Sequence, residues 1–292
     1  MPTDTDDRDL DDTLAGLDAL ELVAAEREGR LARAWRSAWP KLAAIALALG
    51  VWQLVVWLEW KPRVVLAPPA EAFSDLWDLL TDGTLTTAVR ITLWRAAQGF
   101  ALALVLGVII GSLVARVRPV RAAVGSLITG LQTMPSVAWV PFAIVIFQRD
   151  LESAILFVMV LGATPSIANG LISGADHIPP ILLRAGRVLG ARGLSAYRHV
   201  ILPAALPAFV GGVKQGWAFL WRSLMAAELI AVVPGRESIG FLLGINRQLS
   251  NSSGLIATMI VILCIGVAVD SLVFGTLDRA IRRRWGLLEP AL

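Results

Sequence analysis

The chain has one cysteine, one tyrosine and two histidines in 292 residues. A single Cys264, set inside an apolar run, leaves no disulfide and no thiolate metal site to be built within one chain. His177 and His199 stand far apart, with no further histidine or cysteine to complete a zinc cluster. Charge is also scarce: 17% of residues are Asp, Glu, Lys or Arg, against roughly 25% in an ordinary soluble protein. The phosphate-cradling pattern Gly-x-x-x-x-Gly-Lys-Ser/Thr does not occur, so the chain has no nucleotide site of its own by this signature. No serine stands in a nucleophile-elbow context. These absences disfavour an enzyme and predict neither cofactor nor bound metal. No cleavable signal peptide is expected, because the first apolar span follows about forty mostly polar residues.

What the chain does have is apolar sequence. It is 56% hydrophobic, with a mean hydropathy of +0.68. Several stretches reach the ~20 residues that cross a ~30 Å hydrocarbon core. Six spans are expected, at 42–58, 88–115, 122–147, 152–174, 203–232 and 254–276. The result is an all-α polytopic membrane protein with six transmembrane helices. The second and fifth spans exceed what a bilayer needs and should tilt or protrude.

Charge sets the topology. Residues 1–28 hold ten acids against Arg8 and Arg27, so a net charge of +3 hides +11 in the remainder. A basic remainder of this kind could bind nucleic acid, but its arginines sit beside apolar spans and read as topology determinants. Sixteen Lys and Arg fall on one side of the spans: the N-terminal flank, the 2–3 loop, the 4–5 loop and the tail. Five fall on the other, namely Lys61, Arg63, Arg149, Arg236 and Arg247. Both termini are therefore expected in the cytoplasm of a bacterial inner-membrane protein, as an even number of spans also requires. Residues 1–12 are Asp-rich and expected to be disordered. From Thr13 to Trp39, Leu14, Leu17, Leu20, Val23, Leu31, Trp35 and Trp39 recur at helical spacing, which predicts an amphipathic helix on the lipid surface. The same segment could instead dock on a partner. Between the first two spans, Phe73, Leu76, Trp77 and Leu80 predict a short amphipathic helix at the outer surface.

The loop from Asp176 to Leu202 is the most informative. It predicts a short helix, a break at Gly190 and Gly193, a second short helix, and a proline stop before the fifth span. Leu182, Leu189 and Tyr197 give it an apolar face ringed by arginines, suited to a groove in a cytoplasmic partner. The segment resembles the coupling loop of binding-protein-dependent ABC importer permeases, whose pattern is Glu-Ala-Ala, three residues, Gly, nine residues, then Ile-x-Leu-Pro. Here Arg184, Ala185 and Gly186 stand at the opening positions, Gly190 at the glycine, Val200 at the isoleucine, and Leu202-Pro203 close at the right spacing. Arg184 for an acid and Gly186 for an alanine are departures. The resemblance runs over about residues 40–285 and is closest to the sulfonate/nitrate/taurine group, through Leu66-Ala67-Pro68-Pro69, Met134-Pro135-Ser136-Val137-Ala138-Trp139-Val140-Pro141 and Ala226-Ala227-Glu228-Leu229.

That resemblance implies a type I ABC importer permease fold and four regions. Residues 1–40 are the cytoplasmic acidic tail and interfacial helix, and 41–87 the first span with its periplasmic connection. Residues 88–276 form the type-1 transmembrane core, with its coupling loop at 176–202, and 277–292 a basic cytoplasmic tail. It implies as partners two copies of a separate ATPase, a periplasmic or lipid-anchored solute-binding protein, and a second copy of the chain, but no nucleic acid. The solute it suggests is a small anion, aliphatic sulfonate first, then nitrate or taurine. Polar residues inside spans mark a candidate pathway, since lipid-facing helices avoid them: Gln132, Ser136, Asn169, Lys214, Trp217, Trp221, Arg222 and Glu228. Ser, Thr and Asn at such places also simply join helices. On a helix, Lys214, Trp217, Trp221 and Glu228 share a stripe with Arg222 at its edge, and Glu228 is a candidate to neutralise Arg222. Arg95 is expected to be interfacial or structural. The rival readings are an ion-gradient-driven secondary transporter, disfavoured because no internal repeat is evident, and a channel, which needs no coupling loop.

Overall fold

The computed structural model describes residues 30–284, which are helices and their connections without a strand. They belong to two compact units, residues 1–62 and 63–292. In the first unit, α1 (Arg30–Trp57) is one helix that continues through Pro40. The expected division near residue 40, between a surface helix and a span, is therefore absent from the backbone between Arg30 and Trp57. A proline ring removes one N–H and disfavours an interior helical position, but an apolar environment leaves the flanking backbone no other partner than its own helix. Residues 38–57 are long and apolar enough to cross a bilayer. The acidic tail and the surface helix expected up to residue 29 lie outside the described residues. A peptide of residues 13–40 is expected to gain helicity on anionic vesicles, read by circular dichroism. A peptide that stays unstructured there would assign the segment to a protein partner. Deletion of residues 1–12 is expected to leave transport near wild type.

In the second unit, Pro69 at the first position of α2 (Pro69–Thr81) supplies a preset φ where an N–H is not needed. Leu76 and Leu79 turn inward, while Phe73, Trp77 and Leu80 remain exposed. The long α3 (Thr84–Arg116) presents a stripe of small residues, among them Ala96, Gly99, Ala103, Gly107 and Gly111, on its buried face. That stripe lies against α6 (Leu151–Asp176), the helix at the centre of the unit. A Cβ on Gly107 would come 2.7 Å from Ile167, so only glycine permits this approach. α6 is capped by Asp150, whose carboxylate accepts from the Ser153 hydroxyl and N–H. These bonds hold its carboxyl below the ordinary carboxylate value. On its other face α6 meets α8 (Leu202–Ile230), closely enough that a Cβ on Gly170 would come 2.6 Å from the Gly212 Cα. Ile155, Met159, Ile167, Leu220 and Leu224 fill the core between these helices.

The span expected at 122–147 is broken. α4 (Arg118–Thr133) and α5 (Trp139–Phe147) meet at a bend of 95° across Met134, Pro135 and a single 3-10 turn, Ser136–Ala138. Pro135 cannot donate to the helix ladder and biases Met134 to its extended conformation, ψ 129°. The remaining elements are α7 (Pro180–Val188), a helical turn at Leu194–Ala196, a π turn at Tyr197–Ile201, α9 (Ile239–Gln248), α10 (Ser252–Val269), a π turn at Asp270–Phe274 and α11 (Gly275–Arg284). By length and composition four helices among the described residues can cross a membrane: 38–57, 84–116, 151–176 and 252–281. The bent pair makes five. α8 has the length for a sixth at 29 residues, but Lys214, Gln215, Arg222 and Glu228 make it too polar to qualify by composition. The expected six is thus four or five on apolarity alone.

Candidate functional site

The residues of the 176–202 loop form a small folded module. α7 ends at Val188, and two residues on the chain turns at Gly190, whose φ of +82° is a left-handed conformation open to glycine at no steric cost. Gly193 repeats it at +53°. One helical turn (Leu194–Ala196) and a π turn (Tyr197–Ile201) lead directly into α8. The proline stop expected at Pro203 is not there. Pro203 occupies the first turn of α8, where its missing N–H costs nothing. Gly186 is buried under Val200, and a Cβ would meet the Val200 Cγ2 at 2.7 Å. This contact accounts for glycine where the family pattern has alanine. Arg184, Ala185 and Leu202 are exposed, and Val188 and Leu189 are 88% and 86% exposed at the module's tip. Exposed apolar side chains on a short rigid element fit a docking surface better than a solvated loop.

The pathway candidates do not form one site. Arg222, Gln132 and Ser136 come together around a cavity of about 380 Å³ at the break between α4 and α5, with Trp139, Gly162 and Phe219. Gln132 Nε2 donates to Ser166 Oγ at 3.0 Å. Lys214 instead pairs with Asp270 in the π turn at 3.2 Å. Trp217 and Trp221 are stacked on each other, 6.1 Å apart, with Phe100 edge-on to Trp217. Both indoles are buried in the core and edge a groove between α8 and α10. Asn169 is exposed on α6, away from the Arg222 cavity.

Glu228 does not face Arg222. It is fully buried and held by Arg95 Nη1 at 2.8 Å, by the Thr92 hydroxyl at 3.0 Å and by the Gly240 N–H at 3.1 Å. Arg95 also forks onto Glu152, its Nε at 2.8 Å and Nη2 at 2.6 Å, and Arg236 lies 3.4 Å from the same carboxylate. The Ile239 N–H donates to Thr92. This clasp ties α3, α6, α8 and the start of α9. The sequence reading gave Arg95 a structural or interfacial place, but missed Glu152 and Thr92. Its available signal was an arginine and two acids near span ends, with no way to know which ends meet.

The described helices thus make a membrane unit with a broken, polar-lined span and an exposed helix–turn module. The chain belongs to the family of binding-protein-dependent transport system inner membrane components, whose model matches residues 103–284. An ABC transporter permease protein of Methanocaldococcus jannaschii is 30% identical, over 79% of this chain and 86% of that protein. A nitrate import permease protein of Leptolyngbya laminosa is 26% identical over 80% and 84%. An aliphatic sulfonates transport permease protein of Bacillus subtilis is 29% identical over 82% and 85%. The inward-facing MetNI methionine ABC transporter matches with a TM-score of 0.56 at 22% identity, over 68% of this chain and 95% of that one. The chain is an ABC importer permease, a membrane component without a nucleotide site recognised in its sequence.

Proposed function

We propose that this permease imports a small anionic solute, with aliphatic sulfonate the first candidate and nitrate or taurine next. The solute is delivered by a separate binding protein, and two copies of the chain form the pathway above two copies of a separate ATPase. Both termini lie in the cytoplasm and α8 serves as the fifth of six spans, its charges covered by neighbouring helices rather than by lipid. The observation that carries the coupling role is the tip of the 176–202 module. There Val188 and Leu189 stand almost fully exposed on a helix that Gly186 fixes to Val200. The similarity to permeases named for nitrate and for sulfonates supports an oxyanion.

The test is reconstitution of the chain with its ATPase and binding protein in proteoliposomes. Solute-loaded binding protein is expected to stimulate ATP hydrolysis and drive uptake against a gradient. Uptake that follows an ion gradient without ATP would assign a secondary transporter, and passive flux alone a channel.

A further inference from the structure

Three charged residues lie in the interior of α8, and two of them are neutralised. Glu228 has Arg95 at 2.8 Å and Lys214 has Asp270 at 3.2 Å. Arg222 has no acidic partner among the described residues. Its Nε donates to the Ala218 carbonyl at 3.3 Å and its guanidinium lies over Phe219, 5.0 Å from the ring centroid. Neither contact removes its charge, and Arg222 is exposed, lining both this cavity and the groove between α8 and α10.

The depth of this charge follows from its neighbours. Ser223, the next residue, sits directly against Gly162 of α6. Gly162 is near the middle of that 26-residue span, about 17 Å of helix from its start at 1.5 Å per residue. An uncompensated cation so deep is costly unless it meets water or an anion. Irregular backbone at such depth, as at Met134–Ala138, is tolerated only where it is covered by protein or lines a cavity. Both features face the same space. Gln132, fixed by Ser166, and the Ser136 hydroxyl, which has no hydrogen-bond partner among the described residues, add neutral polar groups beside the guanidinium. Phe219 and Trp139 supply apolar wall for a short alkyl group.

We propose that the Arg222 cavity is an anion-binding site within the permease, which holds the oxyanion group of the solute between its release from the binding protein and its exit. This rests on the importer reading and specifies its central step. Arg222 is the counter-charge, Ser136 and Gln132 complete the polar shell, and a single unneutralised arginine favours an anion without trapping it.

The test has two arms. In the first, nitrate and ethanesulfonate are titrated calorimetrically into the purified full chain. Binding is expected, with chloride weaker. Arg222→Gln should weaken it at least about tenfold, the loss of one charged hydrogen-bonding partner. Arg222→Lys should retain part of it. Ala226→Glu, which places a carboxylate one turn along α8 at the cavity wall, should weaken it as much by answering Arg222 internally. In the second arm, the assembled complex should lose uptake in Arg222→Gln and Ala226→Glu by more than it loses stimulated ATPase activity. Unchanged anion binding in both variants overturns the site, as does loss of folded chain in both Arg222→Gln and Arg222→Lys, which would make Arg222 a structural tie. Anion binding with the expected variant losses, but no solute-stimulated ATPase activity in wild type, would keep the site and remove the importer reading instead.

Discussion

Arg95→Met is expected to reduce severely the yield of monodisperse chain in detergent, measured by size-exclusion chromatography. The substitution leaves Glu228, fully buried, without its counter-ion, and breaking a buried pair from one side costs about 3–5 kcal/mol. The double variant Arg95→Met with Glu228→Gln is expected to recover most of the yield. A neutral glutamine still accepts from the Gly240 N–H and hydrogen-bonds Thr92, while Glu152 keeps Arg236 and partial solvent contact. Glu228→Gln alone is expected to be mild, because Arg95 retains the Glu152 fork. A double variant no better than Arg95→Met would show that the arginine acts through packing rather than charge.

Gly190→Trp is expected to abolish uptake while the chain still inserts and reaches the membrane at near wild-type level. The position has φ +82° and nothing within 4 Å of a Cβ. A side chain there meets open space and the backbone strain of a left-handed residue, about 1–2 kcal/mol, away from the membrane core. What it changes is the outer surface of the coupling module, beside Val188 and Leu189. Copurification of the ATPase is the measurement. Wild-type copurification together with wild-type uptake would refute docking through this module. Arg184, exposed at the position where the family pattern has an acid, further predicts an acidic contact on this ATPase, testable by a charge exchange across the two chains.

The two predictions differ in how far the residues announced themselves. Gly190, Leu202 and Pro203 were legible because a motif with fixed spacing describes a local structure, a helix, a left-handed turn and a second helix start. Such a structure depends on φ preferences carried by the residues themselves. The mistake at Pro203, read as a stop, shows the limit. Proline ends a helix or begins one, and the residues before it decide which. The clasp at Arg95 was not legible in the same way. Its members lie 57 and 133 positions apart, and helical periodicity gives the face of one helix without saying which helix covers it.

The sequence by itself determined the class of this protein: long apolar runs demand backbone satisfied within each helix, which leaves a bundle of membrane helices. It also determined the helix and glycine break of the 176–202 loop and, through the scarcity of charge in those runs, that every ion inside them needs a reason. Only the tertiary structure decided what each reason is. The stripe drawn on α8 placed Lys214, the tryptophans and Glu228 together, but three neighbours divide it. The π turn after α10 contributes Asp270 to Lys214, the core stacks Trp217 on Trp221, and α3 contributes Arg95 to Glu228. Arg222 remains without an acid among the described residues, over a cavity that exists because α4 and α5 bend apart at Pro135. Partners of buried charges are set by helix packing, through long-range contacts that local spacing does not encode.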